Sequence, residues 1–513
     1  VNRTHEERLR AIVQEELGDI PCSISSEVSP LAKEYARAST TVIDVFMKLI
    51  YGGYTQRLGA GLRELGFDGS LNYANCAAQL LSAETAMERP FEIVFAGPAG
   101  GTIASAHFGG LIDTGNLLCA DIGGTSCDIS LISDFKPYVN TTFELEHDLI
   151  VNALSIEVSS IGAGGGSLVT ISPAGELQVG PGSAGSDPGP ACYGKGGTRP
   201  ATTDTCLLMG VIDPDGFAGG RVTLDKKLSL KAFENLDTKL SLDDRIRYAF
   251  DVGINNIAEG LMNVAIQHGI DPRDYSLVAF GAAGPMLLPA VLDRVHVAEV
   301  IVPPHPGLFS ALGLVSSEQT YSDSRSAYKV LSPDAADQIE AVFREMEDGL
   351  RTRFPDGGKN VKFTRTFDGR LLGQSWETPF IPIPDGPITA QTIDAMTSNF
   401  HDVYLKRSGN RFPSMAVQGV TYRVDTVLPT DKVEYPKLQK RKSGAPTPSR
   451  TIELRYLERD PIATPEYQRA DLLFGDVIKG PAIIREASST TFMLPRQELT
   501  VGQYGELHIR RAG

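Results

Sequence analysis

No segment of this sequence approaches the ~20 consecutive apolar residues that a membrane-crossing helix needs, so a membrane protein of that kind is not expected. The opening residues, Val1-Asn2-Arg3-Thr4-His5-Glu6, carry charge and no apolar core, and no secretory leader is visible. Basic residues are in deficit: 48 Lys and Arg stand against 63 Asp and Glu, a net charge of -15. A nucleic-acid surface needs clustered Lys and Arg, so nucleic acid is not an expected partner, and the acidic surplus serves solubility. The six cysteines, Cys22, Cys76, Cys119, Cys127, Cys192 and Cys206, form no C-x-x-C pair. They read as reduced thiols of a cytoplasmic protein, not as a disulfide framework. An initiator Met is missing too, which reads as a fragment, a processed chain or one half of a split protein.

Glycine, by contrast, is plentiful, at 52 residues, with clusters at 97–101, 123–124, 162–166, 180–197 and 281–284. Clustered glycine marks backbone that turns with positive φ or lies close to another group. At roughly 150 residues per domain, 513 residues make about three domains. The pattern predicts helices over 4–17, 39–65 and 240–267, short strands at 21–27 and 70–73, and a strand at 91–95 entering the 97–101 glycines. Helices follow at 102–108 and 336–354. Strand-like runs cover 116–121, 127–132, 138–144, 155–161, 275–280 and 299–302, then 363–383 and 418–428. The expected division is an α/β lead-in over 1–90, a core carrying the glycine turns over 91–320, an α+β domain over 321–436 and a small β domain over 451–513. The basic, Pro- and Ser-rich stretch 437–450 reads as a linker.

The strongest motif is Asp121-Ile122-Gly123-Gly124-Thr125-Ser126-Cys127-Asp128. A strand, a Gly-Gly turn and a second strand make a hairpin whose tip presents successive backbone amides, an anion-binding nest. Gly123, Gly124, Thr125 and Ser126 suit phosphate oxygens, the Thr125 hydroxyl can donate to one, and Asp121 can hold Mg2+ through water. Asp128 can orient a water or take a proton, so Asp121 and Asp128 are the candidate catalytic pair, with nucleotide the expected ligand. The bland reading is a glycine-rich hairpin with an Asp at each end. A second candidate is Gly281-Ala282-Ala283-Gly284-Pro285, between a strand and a helix, where free amides could meet a polar or anionic ligand; an ordinary strand-to-helix turn is the alternative. A third is Gly164-Gly165-Gly166 within Ile161–Ser167, a run with no core-forming role that something must approach closely. Cys192 has no base fixed beside it and reads as structural, and Asp204 reads as a helix cap. Glu144-Leu145-Glu146-His147-Asp148 reads as solvated charge rather than metal ligands, and His107 and His268 as packing residues.

These motifs, taken in order, resemble the A-type subunits of the hydantoinase/oxoprolinase family. The resemblance is carried by residues 4–16, 34–41 (Glu-Tyr-Ala-Arg-Ala-Ser-Thr-Thr), 97–101 (Gly-Pro-Ala-Gly-Gly), 121–128, 161–167 and 185–197. It continues through 271–274 (Asp-Pro-Arg-Asp), 281–285, 302–307 (Val-Pro-Pro-His-Pro-Gly), 369–377 and 480–484 (Gly-Pro-Ala-Ile-Ile). It implies an α/β fold of the acetate/sugar-kinase/actin type, a ribonuclease-H-like ATPase core with C-terminal α+β and small β domains. In that fold Gly281, Ala282 and Gly284 lie where adenosine rests. It further implies ATP and Mg2+ as cofactors, with a second divalent ion such as Zn2+ or Mn2+ kept open. The implied partners are a small-molecule substrate, a B-type subunit in a hetero-oligomer, and an earlier D-x-G-G-T-x-T-D loop that this chain does not contain. Two further departures are Leu287, where many members have His, and Cys76-Ala77-Ala78-Gln79 in place of an S-N-G-G stretch.

The shared chemistry implied is phosphorylation of a carbonyl or enol oxygen. The leading expectation is an ATP-dependent hydrolase of a cyclic amide such as a hydantoin, 5-oxoproline or a lactam. A ketone carboxylase subunit acting on acetone or acetophenone is the alternative, and a non-catalytic structural subunit the third reading.

Overall fold

The computed structural model describes residues 3–145, 148–354 and 361–512. The chain forms two compact units that interleave along the sequence. The first comprises Val1–Ala96, Val139–Ser155 and Ser317–Asp431; the second comprises Gly97–Tyr138, Ile156–Ser316 and Lys432–Gly513. Residues 451–513, expected as a domain of their own, thus belong to the second unit. The 437–450 stretch is part of the same unit: the Leu438 amide donates to Gln503 O and Arg441 pairs with Asp476 at 2.6 Å.

The second unit is built on a mixed sheet. Strands Leu117–Ile122, Cys127–Ser133 and Val158–Ile161 are antiparallel neighbours. On the other side of the first of these, Ser276–Phe280 and then Val300–Val302 run parallel to it. In chain order the spatial arrangement is 3-2-1-4-5, the ribonuclease-H-like order expected. Beyond it, Leu507–Arg511, Gln497–Val501 and Val477–Lys479 extend the sheet in antiparallel fashion. That extension is why the C-terminal strands do not stand apart: His508 pairs in register with Ile301.

Side chains alternate along a strand, and both faces of Leu117–Ile122 are covered. Leu118, Ala120 and Ile122 pack in the cluster with Ile254, Ile257 and Leu261 of the helix Leu242–His268. Leu117 and Cys119 pack with Ala104, Phe108 and Phe309 on the opposite side. A strand buried on both faces reads as a continuous apolar run, which is why its position was legible.

Two expectations fail between residues 90 and 111. Pro90–Ile93 is a 3-10 helix, not a strand, and Gly97, Gly100 and Gly101 lie inside the helix Ala96–Leu111, not in a turn. Here the glycines serve close helix packing. A Cβ on Gly313, in the helix Phe309–Val315, would sit 1.9 Å from Gly100 O, and one on Gly101 would sit 2.3 Å from the Phe280 ring. Packing outweighs the ~1 kcal/mol helix penalty of each glycine. Gly313→Ala is expected to force the two helices apart and cost about 1–3 kcal/mol, read as a lower urea midpoint with an unchanged m-value. The strand expected at 21–27 is likewise replaced by a helical turn, Ser25–Val28.

At the sheet extension, His508 lies 3.0 Å from Glu299 and 3.4 Å from Glu506. Burial alone would lower its pKa, but the hydrogen bonds and charges of the two carboxylates outweigh burial and hold it at about 9. Because the folded value exceeds the unfolded one, this stabilisation is fully present below pH ~6.5 and is lost as pH rises through about 9. It is worth about 3 kcal/mol at ~1.4 kcal/mol per pH unit. Denaturant midpoints measured between pH 6 and 10 should fall for the unaltered protein and much less for His508→Gln.

The first unit contains a six-stranded sheet in which Gln319–Val330, Val417–Leu428, Thr364–Leu371 and Thr378–Pro382 pair antiparallel in that order. One face packs Phe367, Tyr422 and Val424 against Phe343 and Met346 of the helix Ala336–Arg351 and Phe400 of the helix Ala390–Ser408. The long helix expected at 39–65 runs from Glu34 to Glu64. Among the described residues, no helix is long and apolar enough to cross a membrane.

Candidate functional site

The hairpin at residues 117–133 is formed as the sequence predicts, and its register pairs Asp121 directly with Asp128 and Ile122 with Cys127. Directly paired residues share a sheet face. The two carboxylates therefore stand side by side on one face, while Ile122 and Cys127 are buried on the other.

Asp121 continues the parity of Leu117 and Cys119, toward the helix Phe309–Val315, where the Ser310 hydroxyl donates to its Oδ2 at 2.9 Å. Burial pushes the Asp121 carboxyl above its ordinary pKa; the Ser310 hydrogen bond opposes this and the Asp128 charge adds to it. Asp128 accepts a hydrogen bond from Ser160 Oγ at 2.6 Å. Neither serine carried a sequence signal, because each gains its role only through the packing of its element on the hairpin.

At the tip the Gly123 amide donates to Ser126 O at 3.2 Å. Gly124 and Thr125 are exposed, and among the described residues their amides donate to no protein acceptor. A Cβ on Gly123 or Gly124 would meet nothing within 4 Å, so the space above both is open. The Thr125 hydroxyl lies 3.5 Å from Ser183 Oγ.

The run expected as a third contact loop has a different place. Gly164, Gly165 and Gly166 are buried behind the tip. Their amides donate to Ser167 Oγ at 2.8 Å, to Gly123 O at 3.0 Å and to Gly124 O at 2.6 Å. None of the three has an amide left for a ligand. A Cβ on Gly164 would sit 2.8 Å from Gly124 C and Thr125 N, so these glycines are required by backbone contact with the hairpin. Thr203 locks them from behind, its hydroxyl donating to Gly165 O at 2.7 Å. Next to it Asp204, fully buried, accepts from the amides of Ala191, Cys192 and Ala201 and from the Ser229 hydroxyl. It thus ties the preceding loop to the helix Thr202–Leu208, more than the cap expected.

Gly281 comes beside Asp121 through the parallel pairing of Phe280 with Asp121. Its φ is +80°, and a Cβ there would lie 2.3 Å from Asp121 Oδ1 and 2.5 Å from Ile122 O. The Gly281 amide donates to Pro306 O and the Ala283 amide to Ile122 O, both at 2.9 Å. Ala282 is exposed, whereas Gly284, Pro285 and Leu287 are buried. The hairpin and this turn are therefore in backbone contact inside a single unit.

The remaining candidates stay outside it. Cys192 is buried and its thiol is pushed up by burial and by Asp204. His107 lies 3.3 Å from Val433 O, and His268 lies 3.2 Å from Glu157. Glu146 and His147 lie outside the described residues.

The donor chemistry suits a hydrated Mg2+: two adjacent carboxylates leave most positions of such an ion to water and phosphate oxygens. For a second ion such as Zn2+ or Mn2+, no group of three or more His, Cys, Asp or Glu is assembled among the described residues.

The 3-2-1-4-5 sheet with a glycine-turn hairpin at its first two strands defines the second unit as an actin-like, ribonuclease-H-like α/β core. The profile described as "Hydantoinase/oxoprolinase" matches residues 37–322, and that described as "Hydantoinase/oxoprolinase C-terminal domain" matches 331–512. The chain belongs to the hydantoinase/oxoprolinase family. It is 30% identical to the uncharacterized protein MJ0964 of Methanocaldococcus jannaschii, over 99% of this chain and 75% of that protein. It is 27% identical to the caprolactamase alpha subunit of Pseudomonas jessenii, over 96% of this chain and 72% of that protein. The crystal structure of that ATP-dependent caprolactamase superposes with a TM-score of 0.82 at 25% identity, covering 100% of this chain and 75% of that one. It is also 28% identical to the acetophenone carboxylase gamma subunit of Aromatoleum aromaticum, over 98% of this chain and 72% of that protein. The last two relatives are named as subunits.

Proposed function

We propose that this chain is a subunit of an ATP-dependent enzyme that phosphorylates a carbonyl oxygen to activate a cyclic amide for hydrolytic opening. One observation carries the reading: two exposed, unpartnered amides stand at the tip of a hairpin that pairs two carboxylates just below that tip. In phosphoryl transfer the protein contributes positioning and charge compensation more than covalent chemistry. Gly124 and Thr125 amides and the Thr125 hydroxyl would hold phosphate oxygens. Asp121 and Asp128 would hold hydrated Mg2+, whose charge would offset the burial that disfavours the ionised Asp121. Gly281 and Ala282 would border the nucleotide, while Gly164, Gly165 and Gly166 set the tip's position from behind. When bound, Mg-ATP supplies the transferable phosphoryl group. An amide phosphorylated on oxygen loses its resonance protection; one water would add to its carbon, the C–N bond would break with the ring nitrogen leaving as an amine, and a second water would release phosphate from the resulting acyl phosphate to leave the acid.

A B-type chain is the partner this reading calls for, with the cytoplasm as the location. The second reading, a ketone carboxylase subunit, is favoured by two departures, the buried apolar Leu287 where many members have His and the buried Ala77-Ala78 in place of the S-N-G-G stretch. The test is ATP hydrolysis by the purified complex, screened against hydantoin, 5-oxoproline and caprolactam, and separately against acetone and acetophenone with bicarbonate. Turnover is expected to depend on a cyclic amide and not on bicarbonate. Dependence on ketone plus bicarbonate would establish the second reading, and turnover with neither would overturn both.

A further inference from the structure

The six-stranded sheet of the first unit carries a second face that is polar and yet substantially buried. On Val417–Leu428, Tyr422 and Val424 point to the helices, so Thr421, Arg423 and Asp425 point the other way. The register places Ser322 and Thr364 beside Asp425, Ser324 and Thr366 beside Arg423, and Ser326 and Asp368 beside Thr421. Such a face of an antiparallel sheet ordinarily meets water. Here Thr421 is 7% exposed and Arg423 and Asp368 are each 5% exposed. A cavity of about 70 Å3 adjoins this face, lined also by Gln79, Arg89 and Asn152.

Most charges around the cavity are paired. Arg423 Nη2 lies 2.5 Å from Asp368 Oδ2, Arg89 Nε lies 2.7 Å from Glu92 Oε1, and Asp323 pairs with Arg325. Arg89 Nε and Thr366 Oγ1 also lack a hydrogen-bond partner, and two groups on this face of Val417–Leu428 itself are left over. Arg423 Nε has no hydrogen-bond partner. Asp425 has no ion-pair partner among the described residues, and its one side-chain hydrogen bond comes from Ser322 Oγ at 2.5 Å. Burial pushes its carboxyl above the ordinary range, against the Ser322 hydrogen bond and the Arg423 charge. Asp425 is partly exposed whereas Arg423 is buried; a part-buried charge without an ion pair and an unpartnered buried donor are each costly. They occupy alternate residues of one strand, so their Cα atoms are about 7 Å apart. Arg89 and Asp323 also line a wider cavity of about 710 Å3 in the same unit, a path by which a small molecule could enter.

We propose that this cavity binds a small amino-acid zwitterion, its ammonium group on Asp425 and its carboxylate on the Nε edge of Arg423. An anion alone would leave Asp425 unpaired, and a cation alone would leave Arg423 Nε unpartnered; a zwitterion satisfies both. This site lies in the other unit from the phosphate hairpin and does not rest on the nucleotide reading.

The test is calorimetry on the full chain without nucleotide, using glycine, β-alanine and 4-aminobutyrate as probes and acetate and methylammonium as single-charge controls. At least one zwitterion is expected to bind about tenfold more tightly than either control, equivalent to about 1.4 kcal/mol. Asp425→Asn, which keeps the Ser322 contact, should remove that preference and leave acetate binding unchanged. Asp121→Ala should retain it, which separates this site from the hairpin. No preference for any zwitterion in the unaltered protein, or a preference that survives in a folded Asp425→Asn, would overturn the proposal and leave a water-filled cavity. The probe comparison uses the unaltered chain, so it decides even where the variant fails to fold.

Discussion

Replacing Asp121 with alanine is expected to lower ATP turnover by the assembled enzyme about a thousandfold while leaving the fold intact. The magnitude follows from losing charge compensation at a transferring phosphoryl group, where one preorganised interaction is worth ~10²–10³ in rate and the adjacent Asp128 would lose its partner as well. Folding should not suffer, because burial already disfavours the Asp121 carboxylate and its removal relieves a desolvation cost. Asp121→Asn sharpens the test: it can still accept from Ser310 Oγ, as the native carboxylate does, but carries no charge. Turnover lost in both variants identifies the charge as the requirement; turnover kept in Asn reduces Asp121 to a hydrogen-bond partner of Ser310.

The second large effect is expected from Gly124→Val, which should weaken Mg-ATP binding about a hundredfold or more with a stability change within ~0.5 kcal/mol. A Cβ at Gly124 meets no protein atom within 4 Å, so whatever the valine side chain displaces comes from outside the chain. Gly164→Ala is the contrast. Its Cβ would sit 2.8 Å from Gly124 C and Thr125 N, so it should lower stability and binding together. Midpoints from thermal unfolding, measured beside the binding curves, separate the two. If Gly124→Val binds nucleotide as the unaltered protein does, the open space above the tip is not the phosphate site.

The hairpin was legible because its signal is local: a strand buried on both faces, two glycines and a second buried strand need nothing distant to specify them. Gly281 was legible for a related reason, since an apolar strand ending in glycines has few other forms. The role of Gly164–Gly166 was not, because a glycine needed for contact with a ligand and one needed for contact with Gly124 O look alike in sequence. Gly97–Gly101 misled for the same reason. These residues lie in a helix because the helix Phe309–Val315 crosses them closely, a contact some two hundred residues away in sequence. Ser160 and Ser310 acquire their partners only when separate elements meet. The interleaving of the two units was hidden too, because Val139–Ser155 has the texture of the strands around it and only its contacts assign it to the first unit. The family resemblance reached further than periodicity here, since motif order fixes the core without locating any contact.

The unpartnered amides of Gly124 and Thr125 are expected to receive phosphate, and amide hydrogen exchange reads those two groups directly. In the assembled enzyme, adding a non-hydrolysable Mg-ATP analogue should slow exchange in the peptide covering residues 121–128, with the protection concentrated at Gly124 and Thr125 and absent in Gly124→Val. Unchanged exchange at those two amides, with protection by the same analogue appearing elsewhere in the complex, would contradict it.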